Sequence, residues 1–287
     1  MSKLRVVVTG ATGYVVQRMW SELTERYDVV PLDVRTTDGA GNEVPGVGLC
    51  DLAGNDRDAY RHHFANADAV IHCAFTAPPG MDAGRVMEDS EAKFRAEHTN
   101  VGIAYNVYQT ALEEGVRRVV VASSNHAADY YERLIWADRW DVVTPEMAPY
   151  SDNFYGWAKV AYEQLGFVYA TGQVGQRALE MVQLRIGGPR DDADLTELRP
   201  GEVKKMHRGL GAYLSQRDQV QLFVKSLEAP DIRDEHGVPF QIFYGVSGNT
   251  HNFWSIKNAR EVIGYAPEDN SQVEFADRIA ELARHPH

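Results

Sequence analysis

Tyr155 and Lys159 stand four residues apart in the run NFYGWAK, a spacing that puts both side chains on one helix face, a turn apart. A free tyrosine titrates near about 10 and is a poor base at neutral pH. An ammonium beside it favours the phenolate and moves that value toward the working range. Such a pair can take a proton from a hydroxyl. Upstream, residues 116–122 (VRRVVVA) read as a strand buried on both faces, and it ends at Ser123, Ser124, Asn125 and His126. Polar residues at the carboxyl end of a parallel strand open onto a ligand crevice. There the Ser124 hydroxyl can hydrogen-bond the oxygen on which Tyr155 acts and hold it in line.

The start of the chain supplies a place for a dinucleotide. RVVVTGATGYVV is a short β-branched strand, a glycine turn and the opening of an amphipathic run over residues 14–25 with Val15, Met19 and Leu23 at helical spacing. Gly10 permits the tight turn and Gly13 lets backbone come close to a pyrophosphate. Val16 occupies the place of the third glycine of the usual pattern, which predicts a helix pushed slightly outward. Asp33 ends the second strand about 20 residues past the turn, where a carboxylate accepts the adenosine ribose hydroxyls of NAD and repels the extra phosphate of NADP. Arg35, two residues on, keeps NADP open.

The elements that must position these groups alternate. Strands are expected over 27–33, 69–74, 116–122, 179–186 and 240–244, and helices over 57–65, 98–114, 153–170, 217–228, 256–264 and 272–284. Residues 36–49 are Gly-rich and turn-like, 127–150 irregular and 187–208 a polar stretch. The longer crossover over 75–92 reads as a lid. His72, inside an apolar run, reads as a core histidine rather than a ligand. Alternation of this kind gives a doubly wound parallel α/β sheet of Rossmann type, divided as residues 1–186 for the dinucleotide and a smaller, interleaved substrate part, 187–287. Two cysteines without CxxC spacing point to neither a disulfide framework nor a metal site. A net charge of -12 and the lack of a long Lys/Arg run argue against a nucleic-acid surface. With neither a signal-peptide core nor a membrane-length apolar run, a soluble cytoplasmic protein with no membrane partner is expected.

TGATGYV, Asp33, Asp51-Leu52, Asn100, Ser124 and Tyr155-x-x-x-Lys159 together resemble an extended short-chain dehydrogenase/reductase, the family of NAD-dependent epimerases, dehydratases and sugar dehydrogenases. The resemblance covers about two-thirds of the chain. It implies Ser124, Tyr155 and Lys159 as catalytic residues. It implies NAD held by Gly10, Gly13, Tyr14, Val15, Asp33, Asp51, Leu52, Cys73, Ala74, Tyr155, Lys159 and Ile186, with Lys159 also reaching the nicotinamide ribose. The run ASSNH at 122–126 and the later FYGVS and FW are similar to uronate dehydrogenases and to NAD-dependent glucose-6-phosphate dehydrogenases of archaeal type. That likeness implies oxidation of an aldohexose at its anomeric hydroxyl to the lactone, with Asn125 and His126 on the sugar. A homo-oligomer is compatible with it.

The chain departs from that pattern where uronate dehydrogenases hold the carboxylate. Ala77, with Thr76 beside it, and Gly188 stand in place of the small hydroxyl residues, which disfavours a uronate. Arg208 matches the carboxylate-binding arginine if 189–207 is an insertion. Arg190, Arg199, Lys204, Lys205, His207 and Arg208 form a basic cluster suited to a phosphate or sulfonate at C6. The other reading is a solvated loop in which those cations pair with Asp191, Asp192, Asp194 and Glu202. Two further functions share the fold: a nucleotide-sugar epimerase or dehydratase, and a non-catalytic NAD-binding regulator. Against the first stands the short C-terminal part, and against the second the intact Tyr/Lys pair.

Overall fold

Arg5–Thr9 (β1) is an interior strand of the sheet, and Val6, Val7 and Val8 are buried completely, as a strand covered on both faces requires. The computed structural model describes residues 3–77 and 90–284. After β1 come the short helices Tyr14–Gln17 (α1) and Trp20–Arg26 (α2), then the strands Asp28–Asp33 (β2), Gly48–Leu49 (β3) and Ala69–His72 (β4). The long helix Ser90–Glu113 (α3) leads to Arg118–Ser124 (β5), Tyr130–Ile135 (α4), Phe154–Ala170 (α5) and Glu180–Ile186 (β6). The C-terminal third holds the helices Val203–Ala212 (α6) and Gln216–Glu228 (α7), the strand Phe240–Gly245 (β7) and three short helices. These are Lys257–Ile263 (α8), Ser271–Glu274 (α9) and Ala276–Leu282 (α10).

The seven strands run in the order β3-β2-β1-β4-β5-β6-β7, every pair parallel. This is the doubly wound α/β sheet expected. One apolar layer joins Val6 and Val8 to Phe223, Phe243 and Trp254; the other joins Val7 to Tyr108, Tyr162 and Met181. A small separate cluster packs Leu195, Met206, Leu210 and Leu282 together near the end of the chain.

Several local expectations differ from the structure. The helix over 14–25 is two short helices with Met19 opening the second, and Val16 is fully buried in the core. The polar helix over 57–65 is two tight turns, Arg57–Ala59 and Arg61–His63. The turn-like 36–49 ends in an edge strand, the irregular 127–150 contains α4, and the polar 187–208 contains the start of α6. The final helix over 272–284 is broken at Phe275. Most of the expected lid lies outside the described residues. His72 is a core residue, its Nδ1 2.8 Å from the Thr9 hydroxyl, and burial pushes its pKa down to about 3.

Candidate active site

Every site residue from the first six strands lies at the carboxyl edge of the sheet. β1 delivers the glycine turn, β2 Asp33, β4 Cys73-Ala74, β5 Ser124 and β6 Ile186. Gly10 has φ of 70°, and a Cβ there would meet the Ala74 nitrogen and the Cys73 carbonyl at 2.7 Å. Only glycine lets the turn lie flat on the end of β4. A Cβ on Gly13 would in turn crowd the Gly10 carbonyl at 3.0 Å. The turn is therefore bare backbone, as a pyrophosphate needs.

Asp33 is held by Thr12, whose backbone N–H (2.9 Å) and hydroxyl (2.8 Å) donate to Oδ2, while Val34 N–H donates to Oδ1 at 2.7 Å. Three of the roughly four acceptor positions of a carboxylate are thus used, which leaves room for about one ribose hydroxyl rather than two. Arg35 Nε donates to the Thr12 hydroxyl at 3.0 Å. Asp51 caps the turn at Ala53, and the buried Leu52 gives its carbonyl to Asn106. Tyr14 is exposed at the first helical turn, and the Val15 carbonyl accepts from Gln219 at 2.7 Å. The cradle and the anchored Asp33 fit a dinucleotide. Burial raises both thiols, Cys50 to about 11 and Cys73 to about 12, so neither is a reactive thiolate.

The catalytic candidates converge through α5. Asn153 accepts from Gly156 N–H and caps the helix, and Gly156 lies so close to the His126 carbonyl that any Cβ would collide with it. That contact sets Tyr155 beside the end of β5. Ser124 lies close enough to the Tyr155 hydroxyl to oppose the rise in its pKa, and the Tyr155 ring makes edge contacts with His126 (5.5 Å) and Phe75 (5.7 Å). Lys159, 5% exposed, donates from Nζ to the Ala122 carbonyl at 3.0 Å. The same ammonium lies 5.4 Å from the centre of the Tyr155 ring. Ser124, Tyr155 and Lys159 are one cluster.

The electrostatics of this cluster run against the expected lowering of Tyr155. Burial raises its hydroxyl to about 12, with Ser124 opposing and Glu97 and Asp129 adding to the rise. Burial pushes Lys159 down to about 8 against the pull of Glu97, Cys73 and Glu163. Desolvation by the protein outweighs the mutual help of the pair.

Several supporting residues escape a reading of local spacing. Glu97 is 2% exposed and accepts from Asn100 Nδ2 at 3.2 Å. Asn100 also grips both backbone groups of Thr76, at 2.8 and 3.0 Å. Glu163, one turn past Lys159, accepts from Ser123 at 2.8 Å and takes the fork of Arg185 at 2.8 and 2.7 Å. The four-residue step from Lys159 was the one local signal for Glu163.

On the far side of His126, whose ring touches Tyr155, a cavity of about 370 Å³ is lined by His126, Asp129, Glu132, Arg133, Trp136, Asp152 and Arg208. His126 Nδ1 is 2.5 Å from Asp129 Oδ2, which also accepts from Asn153 at 2.8 Å. Half of the expected basic cluster is paired with acids. Arg190 pairs with Asp194 and Lys205 with Glu202, on the surface. Arg208 reaches the cavity but pairs with Glu132 at 3.1 Å. The backbone of Gly188 is spent on Ala212 and Leu214, so it offers a sugar neither a side chain nor its N–H. Among the described residues no helix is long and apolar enough to cross a membrane.

A sheet of this order with its ligand edge so equipped defines a dinucleotide-dependent enzyme of the short-chain dehydrogenase/reductase kind. The model of the NAD-dependent epimerase/dehydratase family matches residues 6–229, and the chain belongs to that family. Its cofactor is NAD, and it is an oxidoreductase. It is 30% identical over 285 residues to the NAD-dependent glucose-6-phosphate dehydrogenase of Haloferax volcanii, covering 93% of this chain and 94% of that one. It is 29% identical to the L-arabinose 1-dehydrogenase (NAD(P)(+)) of the same organism, covering 93% and 97%. The crystal structure of uronate dehydrogenase from Agrobacterium tumefaciens superposes with a TM-score of 0.72 at 25% identity, covering 100% of this chain and 92% of that one.

Proposed function

We propose that the protein is an NAD-dependent sugar 1-dehydrogenase that oxidises the anomeric hydroxyl of an aldose to the lactone. The convergence of Ser124, Tyr155 and Lys159 on the same sheet edge as the glycine turn and Asp33 carries this reading. Bound NAD supplies the hydride acceptor and a positive charge that favours the Tyr155 phenolate. Tyr155 then removes the proton of the anomeric hydroxyl, and Ser124 holds that oxygen by a hydrogen bond. Lys159, fixed to the Ala122 carbonyl, stabilises the phenolate through its charge. Asn125 and His126 follow Ser124 at the sugar side, and Thr76, gripped by Asn100, borders it from β4. Gly10, Gly13 and Asp33 hold the cofactor.

The test is NADH formation from NAD with a panel of glucose, galactose, L-arabinose, glucuronate, galacturonate and glucose 6-phosphate, with the product identified as a lactone. Oxidation of at least one member supports the reading. No reduction of NAD with any of them, together with NAD retained through purification, would move the assignment to a nucleotide-sugar epimerase or dehydratase.

A further inference from the structure

The cavity lined by His126, whose ring touches Tyr155, contains two guanidiniums, and neither is free. Arg133 pairs with Asp152 at 2.6 Å and Arg208 with Glu132 at 3.1 Å. The remaining carboxylate, Asp129, holds His126. Three acids therefore face two arginines and one histidine. Glu132 and Arg208 come from different helices, α4 and α6, and their side chains are only 16% and 29% exposed. Water does not screen this pair as it does an exposed one. Asp129 Oδ1 and Glu132 Oε1 are buried without a hydrogen-bond partner, and the negative charge of these acids disfavours a phosphate or carboxylate nearby.

Resting on the sugar dehydrogenase reading above, we propose that Glu132 is the specificity residue of this site. Its carboxylate occupies Arg208 in place of a substrate anion, so the substrate is a neutral aldose and C6-charged sugars are excluded. This replaces the C6 anion expected from the basic residues of the sequence. The cations of that stretch are there, but the fold gives each of Arg190, Lys205 and Arg208 a carboxylate of its own. A sugar phosphate would have to displace Glu132 from Arg208 and leave that carboxylate beside it, which costs it twice.

The experiment compares kcat/KM for glucose and L-arabinose with that for glucose 6-phosphate and glucuronate. The proteins are the wild type, Glu132→Gln, Glu132→Asp and the double variant Glu132→Gln/Arg208→Met. The wild type should favour the neutral sugars. Glu132→Gln should raise the charged-to-neutral ratio on the order of 10- to 100-fold, the worth of one unmasked charged hydrogen bond. Glu132→Asp should keep the wild-type ratio, and the double variant should lose the gain. A pair that only ties α4 to α6 would lower thermal stability without moving the ratio, and that result overturns the proposal. So does a wild type that favours charged sugars.

Calorimetric titration of the NAD-loaded proteins with inorganic phosphate decides the point without turnover. Phosphate should bind Glu132→Gln more tightly than wild type, again about tenfold or more. If no aldose is oxidised, the sugar reading fails by itself. Equal phosphate affinity in the two proteins then overturns the role of Glu132.

Discussion

Replacing Tyr155 by Phe separates the chemistry of the site from its architecture. The ring stays, and with it the edge contacts to Phe75 at 5.7 Å and His126 at 5.5 Å. What goes is the hydroxyl, which faces Ser124. A hydrogen bond made by such a hydroxyl is worth about 1 kcal/mol, and its loss shifts the melting temperature of a chain of this size by about 2–4 °C at most. Removing the general base should lower kcat by about 10²- to 10⁴-fold. The assay is steady-state NADH formation on the best aldose, beside NAD binding followed by fluorescence quenching and a thermal melt. Binding should stay within about threefold.

The wild-type pH profile belongs to the same prediction. With Tyr155 raised to about 12 and Lys159 lowered to about 8, the pair carries one proton too many below about 8. Its productive phenolate–ammonium form has the same proton count as the phenol–amine form. Thus kcat/KM for NAD should climb about tenfold per unit toward pH 8 and then level off, a property of the pair and not of either residue. A Phe variant that keeps kcat/KM within tenfold of wild type refutes the mechanism.

Asp33→Ser should move the cofactor preference toward NADP by about 10- to 100-fold in kcat/KM, since a charged acceptor for the ribose is lost and its repulsion of a phosphate with it; an unchanged ratio would remove Asp33 from the cofactor site. Gly156→Ala places a methyl group into the His126 carbonyl, an overpacking expected to cost about 1–3 kcal/mol. It should also cut turnover by displacing Tyr155, which melting and kinetics read together, and a fully active variant would contradict the geometry. His72 stays neutral in the fold, with its pKa down at about 3 from 6.5. Its contribution is whole above about 6.5 and is lost toward about 3, at about 1.4 kcal/mol per pH unit. Urea unfolding from pH 6 to 4 should fall less steeply, by about one proton, in His72→Asn than in wild type, and parallel slopes would show that His72 ionises in the fold.

Local sequence determined the parts whose cause is local. Val6 to Val8, Val119 to Val121 and residues 179–186 announce strands covered on both faces, because β-branched apolar runs are stable only there. The glycine turn, Asp33 at the end of β2 and the four-residue step from Tyr155 to Lys159 follow from backbone geometry, and so does the order of the ligand edge. Local propensity misled where tertiary contacts override it. α6 ends in HRGLGA, a poor helical sequence, and forms because Gly209 lies against the Ala193 carbonyl where a Cβ would collide. α4 forms with Tyr131 buried in the core.

Only the fold decided which carboxylate meets Arg208. Glu132 and Arg208 are 76 positions apart, and nothing in their neighbours in sequence pairs them. Burial, likewise, is a property of the packed chain. It sets Tyr155 high and Lys159 low when their spacing alone pointed the other way, because desolvation depends on everything that surrounds a group, while spacing reports on one neighbour.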